Sequence, residues 1–535
     1  MTEPIWTPSP ARIGRANMTR FIESVNQRYG QTIRTYEQLH EWSIRALPDF
    51  WADIWRFLEI KHTAGYDEIV DDSSKMPGAN WFIGAKLNYA QNLLWHRSRR
   101  TALISAGEAR ETRRISYEEL YHQVAALAGS LREAGLKKGD RAVGMLPNIP
   151  EAVVAMLAVT SLGGIWSACP PDRDEKTVLD HFGRLTPKIL FAADGYSFHG
   201  RTMDSLGLIH RIISDLPSIR QVILIPNLHP GPDPGRLPRT LTWPDFLAQD
   251  INPDIDFEPL LFGHPLCILP TSETARNPRY PVHSTGGALL QQLKELILHT
   301  DLKRDDILFY LAPCGTTMWH WQICALAAGA TVILYDGSPL YPDPEILWRL
   351  AEQEKITIWG TRAPDLISLE KAGVKPGQTH DLGALRTILT MAPPISPRMT
   401  QYVYREIKRD VHFVALYGTD DIHGCYVLGN PLGPVYAGQI QCRGLGMRIE
   451  AYQESGRPVG GQSGELVCRT PFPSMPIYLW DDPNGGQYLD AYFRRLPGIW
   501  HQGDSIQITA QNGIVLHDRP LLGTGPGRKK TDPAE

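Results

Sequence analysis

The residues of this chain best suited to chemistry lie in a polar segment, "TSETARNPR", at positions 271–279. The segment follows a short apolar run, "LCIL", and precedes a helix-like run, "GGALLQQLKELILHT". A strand, a polar loop and a helix in this order are typical of a phosphate-binding loop, in which backbone amides and cationic side chains hold the anion. The segment contains no glycine. Two interpretations therefore stay open: a weakened phosphate-binding loop and a surface loop with mixed charges.

Two further segments contain carboxylates close to a glycine. The first, "ALYGTDDIHGC", holds Tyr417, Gly418, Asp420 and Asp421, and the second, "HQGDS", holds Asp504. Carboxylate oxygens are the ligands that a hard divalent cation prefers, and a carboxylate can also accept hydrogen bonds from both hydroxyls of a vicinal diol. Gly, Thr and Asp are equally common in turns at strand ends, so neither segment identifies a site by itself.

Alternating strand-like and helix-like runs must position these residues. Helix-like runs such as "PEILWRLAEQE" and "SPRMTQYVYREI" separate strand-like runs with little period-2 alternation: "KILFAA", "QVILI", "LCIL", "DILFYL", "TVILY", "ITIWG", "RTILT" and "VHFVALYG". Strands of this kind are buried on both faces, which favours mostly parallel sheets in an α/β protein. Capping boxes formed by Thr35 with Gln38 and by Ser116 with Glu119 predict the starts of two helices.

The pattern divides the chain into four parts. After Gly433 the helical pattern ends, and a turn-rich, alternating stretch predicts a smaller β-rich unit. We predict an N-terminal helical segment at 1–100, an α/β core at 101–430, a β-rich subdomain at 431–518 and a tail at 519–535.

Composition excludes several classes of partner. The 535 residues are 42% hydrophobic and 21% charged, with a net charge of -4 at pH 7, which indicates neither a nucleic-acid nor a membrane-surface partner. The seven cysteines are scattered and never form a CxxC pair, so buried thiols of a reducing compartment are expected. The apolar run at 152–169 is interrupted by Thr-Ser and Gly-Gly, which predicts a buried helix, a turn and a strand instead of a membrane span. We predict a cytoplasmic protein.

Six longer segments carry a resemblance to a known family: "ANMTRFIESVN", "AGLKKGDRAVGMLPNIPEAVVAMLA", "LYDGSPLYPDPEILWRLAE", "GNPLGPVYAGQIQCRGLGMRIEA", "GELVCRTPFPSMP" and "GIWHQGD". They resemble the acetoacetyl-CoA synthetases, a branch of the adenylate-forming acyl-CoA synthetases. The resemblance implies the large N-terminal domain of these enzymes, with two helix-covered, mostly parallel sheets and a small β-barrel-like subdomain. It also implies an acid–CoA ligase that uses ATP, Mg²⁺ and CoA: a small carboxylic acid forms an acyl adenylate, and CoA then displaces AMP.

The resemblance extends to single residues of the polar loop and of the two acidic segments. In the loop, Glu273 and Arg276 stand where the family has glycines, and Arg279 replaces a lysine. Each lost glycine costs on the order of 1–3 kcal/mol if the backbone needs positive φ there. The loop nevertheless stays cationic, because two arginines outweigh one glutamate. The resemblance implies catalytic roles for Thr274, Arg279 and Asp421, Mg²⁺ binding by Asp421, an acid pocket at Gly315, Thr316 and Trp319, and nucleotide binding by Ser272, Thr274, Arg279, Tyr417, Gly418, Asp504 and Arg519.

Departures from the family pattern keep two functions open. Thr316 stands where the family has a tryptophan, Ala392 and Pro393 fill positions of a Gly-Ser-Pro segment, and Leu521 replaces an acid at the hinge. The family's C-terminal lid domain is expected to be absent, so a separate lid-domain chain or an intact synthetase is an expected partner. The first function is a ligase for a short β-keto acid or a similar acid. The second is a catalytically impaired relative that acts as a nucleotide-binding or scaffold protein.

Overall fold

Two large sheets built from the apolar runs form the centre of the protein. The computed structural model describes residues 3–108, 110–247, 254–271, 278–391 and 395–517. The strands are short and mostly buried along their length, as expected of strands with helices over both faces. The predicted α/β fold with mostly parallel sheets is confirmed.

The first of these, sheet A, has eight strands. Their order across the sheet is Thr240–Thr242, Gln221–Ile225, Ile189–Ala193, Arg141–Met145, Ile165–Cys169, Pro265–Ile268, Pro281–Ser284 and Tyr478–Leu479. The first six strands are parallel to one another, and each of the last two is antiparallel to the strand before it. The polar loop therefore lies near one edge of sheet A, between its sixth and seventh strands.

The second, sheet B, has nine strands. Their order is Cys442–Arg443, Gly424–Leu428, His412–Thr419, Thr387–Met391, Ile358–Arg362, Ile307–Tyr310, Thr331–Asp336, Thr101–Gly107 and Arg113–Ser116. The six strands from His412–Thr419 to Thr101–Gly107 are parallel, and antiparallel strands complete both edges. Tyr417 lies near the end of His412–Thr419, the outermost of these parallel strands, and Asp421 follows that strand.

The β-rich part of the chain forms a third sheet, sheet C. Its five strands are all antiparallel and run in the order Pro458–Val459, Ile449–Tyr452, Ser463–Cys468, Trp500–Ile508 and Ile514–His517. In the described residues this is an open sheet and not a closed barrel. Three small sheets contain the remaining strands: His62–Ala64, Lys86–Leu87 and Leu260–Leu261; Glu68–Val70 and Trp81–Ile83; Gly195–Phe198 and Arg201–Asp204.

Helices lie between many of the strands in chain order. The α-helices are Pro10–Arg15, Asn17–Tyr29, Tyr36–Arg45, Leu47–Phe57, Tyr89–Leu93, Tyr117–Glu133, Pro150–Ser161, Glu175–Leu185, Leu206–Asp215, Trp243–Phe246, Thr285–Lys294, Thr317–Cys324, Ile346–Gln353, Ala363–Lys371, Pro376–Thr379, Pro397–Tyr402 and Gly486–Tyr492. Glu295–His299 and Val403–Ile407 are π-helical, and Pro234–Arg236 and Ala325–Ala328 are 3-10 turns. Both predicted capping boxes are confirmed.

The long apolar run at 152–169 is a buried helix followed by a strand, as predicted. No helix in the described ranges is long and apolar enough to cross a membrane. All seven cysteines are buried free thiols, which confirms the prediction for them. The division into four parts stays a prediction.

The helix Gly486–Tyr492 contradicts the prediction that the helical pattern ends after Gly433. It is only seven residues long and begins beside a second glycine, so its own sequence favours it little. Packing holds it instead: the Tyr488 and Tyr492 rings lie 6.4 Å and 4.0 Å from the Trp500 ring. Tertiary contact therefore overrides the weak local preference.

Candidate active site

The polar loop connects two antiparallel strands. Strands Pro265–Ile268 and Pro281–Ser284 pair with each other, and helix Thr285–Lys294 begins only after the second of them. The predicted order of strand, loop and helix is therefore wrong by one strand. The four residues of the second strand are too few to give a pattern, and pairing with a strand on each side stabilises them.

The base of this loop is closed by a pair of hydrogen bonds. The amide of Thr271 donates to the carbonyl of Arg279 at 2.8 Å, and the amide of Arg279 donates to the Thr271 hydroxyl at 2.9 Å. The following helix is capped separately, because the Ser284 hydroxyl accepts from the Gly287 amide at 3.0 Å. The helix start thus lies one strand away from the loop, and Arg279 is the described loop residue that could meet an anion.

Three of the predicted nucleotide-binding residues, Ser272, Thr274 and Arg519, lie outside the described residues. The substitutions of former glycines at 273 and 276, and of the small residues at 392 and 393, lie there too. The roles of all these positions stay predictions.

The carboxylate of Asp421 is the centre of the described part of the site. It is 5% exposed, and its Oδ1 accepts from the Arg279 Nη2 at 3.2 Å. The same oxygen accepts from the Tyr492 hydroxyl, and Oδ2 accepts from the Gln502 Nε2 at 3.1 Å. Arg279 and Asp421, for which the resemblance implies separate roles, therefore contact each other directly.

The stacked rings of Tyr492 and Trp500 pack against this cluster. The Arg279 guanidinium carbon lies 5.0 Å from the centroid of the Tyr492 ring. That ring stacks on Trp500 with a centroid distance of 4.0 Å and an interplanar angle of 14°, and Trp500 Nε1 donates to the Tyr426 hydroxyl at 2.8 Å. A cation over an aromatic face gains roughly 0.5–2 kcal/mol. The stack thus holds the guanidinium in one orientation.

Burial and charge fix the protonation states in the cluster. Burial acts to lower the pKa of Arg279, but Tyr492 and Asp421 outweigh it, so the pKa is raised above the usual value. Burial raises the pKa of Tyr492 well above its usual value, and the charge of Asp421 raises it further. Arg279 is therefore a permanent cation, and Tyr492 is a protonated donor to Asp421.

The neighbouring carboxylate, that of Asp420, accepts hydrogen bonds from the start of a helix. Its Oδ1 accepts from the hydroxyl and the amide of Thr317 at 2.7 Å and 3.3 Å, at the first residue of helix Thr317–Cys324. The backbone carbonyl of Asp420 contacts the His283 Nε2 at 2.9 Å. The segment around Asp420 and Asp421 is thus fixed to sheet A on one side and to this helix on the other.

The predicted nucleotide-binding residues Tyr417, Gly418 and Asp504 lie together. The Tyr417 hydroxyl donates to Oδ2 of Asp504. At Gly418 a Cβ atom would lie 2.0 Å from the Gly424 carbonyl oxygen, so the close approach of two strands of sheet B requires glycine. This packing need explains Gly418, and its role in nucleotide binding stays a prediction.

A cavity of about 540 Å³ lies beside the cluster. Pro278 and Asp420, the chain neighbours of Arg279 and Asp421, line it together with Gly315 and Thr316. Gly315 has φ +83°, and a Cβ atom there would lie 2.1 Å from the Ala168 carbonyl oxygen. The cavity has the size of a small-molecule site, and its wall requires glycine at 315.

Trp319, the third predicted pocket residue, lies in the core and does not line this cavity. Its ring is fully buried, and its Nε1 donates to the Asn148 Oδ1 at 2.9 Å. Trp319 follows Thr316 by three positions near the start of the same helix. Trp319 packs in the core, whereas Thr316 lines the cavity.

Three hydrogen bonds occupy most of the acceptor positions of the Asp421 carboxylate. Mg²⁺ requires a near-octahedral set of oxygen ligands at roughly 2.0–2.1 Å, whereas Asp421 already accepts from three donors, one of which is a guanidinium. Within the described part of the chain, no group of three or more His, Cys, Asp or Glu residues is arranged to hold a metal ion. The Mg²⁺ role of Asp421 stays a prediction, and nothing proposed below depends on it.

Three residues of the site were not predicted from the sequence: Tyr492, Gln502 and Thr317. Gln502 lies two positions before Asp504 in the same strand, and this proximity to a predicted residue is the signal that the sequence offers for it. Tyr492 and Thr317 reach the site through contacts with distant residues, which no local pattern contains.

Comparison with known proteins places this geometry in a family. The model of the "AMP-binding enzyme" family matches residues 95–479, and that of the "Acetyl-coenzyme A synthetase N-terminus" matches residues 36–93. An acetoacetyl-CoA synthetase of Mus musculus is 42% identical over 531 residues, which covers 98% of this chain and 78% of the relative. A malonamoyl-CoA synthetase of Penicillium aethiopicum is 32% identical over 554 residues, covering 98% and 74%.

The fold agrees with the sequence comparison. The solved structure of an acetoacetyl-CoA synthetase from Streptomyces lividans superimposes with a TM-score of 0.92 at 37% identity, covering 97% of this chain and 80% of that one. The range of the family model, 95–479, contains Arg279 and Asp421. The chain therefore belongs to the AMP-binding enzyme family, in its acetoacetyl-CoA synthetase branch.

Proposed function

We propose that this protein activates a short carboxylic acid with ATP and transfers the acyl group to CoA. Acyl-CoA synthetases of the AMP-binding family use ATP, CoA and Mg²⁺ in general. A carboxylate oxygen of the acid attacks the α-phosphorus of ATP, and the bond from that phosphorus to the departing pyrophosphate breaks. The CoA thiol then loses its proton and attacks the acyl carbon, and AMP leaves.

One observation carries the proposal: the Arg279–Asp421 pair lies beside the 540 Å³ cavity, and the Tyr417–Asp504 pair is joined to it. Tyr417 lies four positions before Asp421, and Gln502, two positions before Asp504, donates to Asp421. A cation for phosphate, a carboxylate for a ribose diol and a cavity for a small acid are the three elements that adenylation requires. In this proposal the phosphates are bound by Ser272, Thr274 and Arg279, the nucleoside by Tyr417, Gly418, Asp504 and Arg519, and the acid by Gly315 and Thr316, with Trp319 supporting the wall from the core.

The names of two relatives narrow the choice of acid substrate. One is named for acetoacetate and the other for malonamate, and both acids are short and carry a second carbonyl at carbon 3. We infer that the acid of this protein shares that chemistry. The relatives reported above are all synthetases, so no observation favours the alternative of a binding or scaffold protein. The predicted lid-domain partner stays a prediction.

The test is acid-dependent formation of AMP and pyrophosphate by the purified protein. Acetoacetate and malonamate are compared with butyrate, which has the same length as acetoacetate but lacks the second carbonyl. We expect AMP release with a 3-carbonyl acid at least about tenfold above butyrate, which corresponds to roughly 1.4 kcal/mol of discrimination.

Two matched variants accompany this assay. Asp504→Ala removes the proposed diol acceptor and should abolish acid-dependent AMP release. Asp490→Ala removes a carboxylate that is 65% exposed and should leave it unchanged. AMP release that does not depend on the acid, or that survives in Asp504→Ala, would contradict the proposed function.

A further inference from the structure

Three buried histidines contact the wall of the 540 Å³ cavity from its buried side. The side chains of His283, His320 and His423 are at most 1% exposed. They come from a strand of sheet A, from helix Thr317–Cys324 and from the segment that follows strand His412–Thr419 of sheet B. The His423 ring lies 4.7 Å from the His283 ring and 5.1 Å from the His320 ring. The three rings therefore join elements from both sheets at this wall.

Two of these rings bind the backbone carbonyl of a residue that lines the cavity. The His283 Nε2 donates to the Asp420 carbonyl at 2.9 Å. The His320 Nδ1 donates to the Thr316 carbonyl at 3.0 Å. Asp420 and Thr316 both line the cavity, and the Asp420 carboxylate also accepts from Thr317, the residue after Thr316. The two wall residues are thus connected to each other and are each held by an imidazole.

Packing alone does not account for imidazoles at these two positions. The second ring nitrogens, His283 Nδ1 and His320 Nε2, are buried and have no hydrogen-bond partner in the described part of the chain. A buried polar atom without a partner is destabilising, whereas a phenyl ring would fill a similar space without that cost. What each imidazole supplies beyond a phenyl ring is one donor, and that donor holds a carbonyl of the cavity wall.

We propose that His283 and His320 are positioning residues that fix Asp420 and Thr316 in the cavity wall and thereby determine which short acids the cavity accepts. The inference rests on the proposed function, which assigns the acid to Gly315 and Thr316. Neither imidazole is among the described residues that line the cavity, so each acts through the carbonyl that it holds. A displacement of about 1 Å in a positioned group can change a rate about a hundredfold.

The test separates the hydrogen bond from the ring that carries it. His283→Phe keeps a buried ring and removes the donor, whereas His283→Gln keeps a donor at the Nε2 position. AMP release is measured with butyrate and with the 3-carbonyl acid that the wild type prefers. For His283→Phe we expect the KM of the preferred acid to rise at least about fivefold and its preference over butyrate to fall at least about threefold. For His283→Gln both values should stay within about twofold of the wild type.

The second imidazole is tested in the same way. His320→Phe should behave like His283→Phe, and His320→Asn, which keeps a donor at the Nδ1 position, should behave like the wild type. In all four variants the Kd of AMP should change by less than about twofold, because the Tyr417–Asp504 pair does not involve either imidazole. A general loss of structure would instead weaken AMP binding together with acid selection.

His412→Phe is the matched control. His412 is fully buried and its Nε2 donates to the Gln441 Oε1 at 2.7 Å, but it lies at the start of strand His412–Thr419, whereas Tyr417 lies near the end. This variant should lose stability in urea denaturation without a change in KM or acid preference.

Unchanged KM and acid preference in a folded Phe variant would overturn the inference for that residue and leave the proposed function intact. Equal changes in the Phe variant and in its donor-keeping partner would also overturn it, because the shape of the ring would then matter and the hydrogen bond would not. If the wild type forms no AMP with any acid, the inference and the proposed function both fail. Should circular dichroism show that His283→Phe is unfolded, His283→Leu removes the donor with a smaller side chain, and the same expectations apply to it.

Discussion

The hydroxyl of Tyr417 donates to the carboxylate of Asp504, which lies 87 positions later in the chain. Tyr417 lies in His412–Thr419, the outermost of the six parallel strands of sheet B. Asp504 lies in Trp500–Ile508, the longest strand of sheet C. This hydrogen bond thus joins two sheets at the proposed nucleoside site. Because a carboxylate accepts several hydrogen bonds, Asp504 can bind a ribose and a tyrosine together.

The contribution of this carboxylate can be measured with AMP alone. We expect Asp504→Asn to weaken AMP binding at least about tenfold, since hydrogen bonds to a charged group contribute roughly 1.5–3 kcal/mol. Asp490→Asn, an exposed carboxylate on a neighbouring helix, should bind AMP like the wild type. Titration calorimetry compares the three proteins, and equal affinity of both variants would exclude Asp504 from the nucleotide site.

Gly315 should tolerate no side chain. In Gly315→Ala the new Cβ would meet the Ala168 carbonyl oxygen at 2.1 Å while φ stays positive. Gly373→Ala is the matched control, because Gly373 has φ +71° but nothing lies within 4 Å of its Cβ. We expect a loss of at least about 2 kcal/mol in free energy of unfolding for Gly315→Ala and about 1 kcal/mol for the control. Urea denaturation measures both, and equal losses would mean that the cavity wall can move aside.

The buried carboxylate of Glu295 should be essential to the fold. Its Oε1 accepts from the Cys425 amide at 2.7 Å, its Oε2 accepts from Trp321 Nε1 at 3.0 Å, and its side chain is fully buried beside Lys294. Glu295→Gln turns an amide group toward one of these donors and leaves that donor unsatisfied, so we expect a loss of about 1–3 kcal/mol in free energy of unfolding. Glu59→Gln, at a side chain that is 80% exposed, should change stability by less than about 0.5 kcal/mol. A small loss in Glu295→Gln would show that the site can rearrange.

Three buried histidines in ring contact should make the protein sensitive to acid. The His283 and His423 rings lie 4.7 Å apart, and the His320 and His423 rings 5.1 Å apart. Burial lowers the pKa of His283 to about 3 and that of His320 to about 4, and it lowers the pKa of His423 well below the usual 6.5. The unfolded chain therefore binds more protons than the folded one once the pH falls below about 6.5, and stability is lost as the pH falls further.

A single substitution isolates one of these rings. His320→Gln removes one such group, so the slope of unfolding free energy against pH should decrease by up to about 1.4 kcal/mol per pH unit between about pH 6 and 4. The slope is compared with that of the wild type in urea denaturation at several pH values. An unchanged slope would indicate that His320 is already solvated or titrates normally in the folded state.

Local patterns were enough to predict the layers of the fold. The strand-like runs lie in sheets A and B, and the capping boxes at Thr35 and Ser116 start helices. Strand Pro281–Ser284 and helix Gly486–Tyr492 could not be predicted, because both are short and depend on contacts with other elements. The strand pairs with Tyr478–Leu479, and Tyr492 of the helix contacts Trp500 and Asp421. Short elements of this kind gain most of their stability from tertiary packing.

The site could be predicted in its parts but not in its connections. Motif positions identified Arg279, Asp421, Tyr417 and Asp504 one at a time. The contact between Arg279 and Asp421 joins residues 142 positions apart, and it exists because sheet A and sheet B bring their loops to one place. Without that topology, the sequence indicated an anion site and a cation site, whereas the structure pairs the two side chains.

The two hydrogen bonds between Thr271 and Arg279 have a consequence for how the sequence of the polar loop can vary. The ends of the polar loop are brought together by the strands on either side, so the entropy of closing the loop is already met by the sheet. Residues between these ends can then be exchanged during evolution with little effect on folding. Changes in the ligand chemistry of this segment are thereby separated from changes in the stability of the fold.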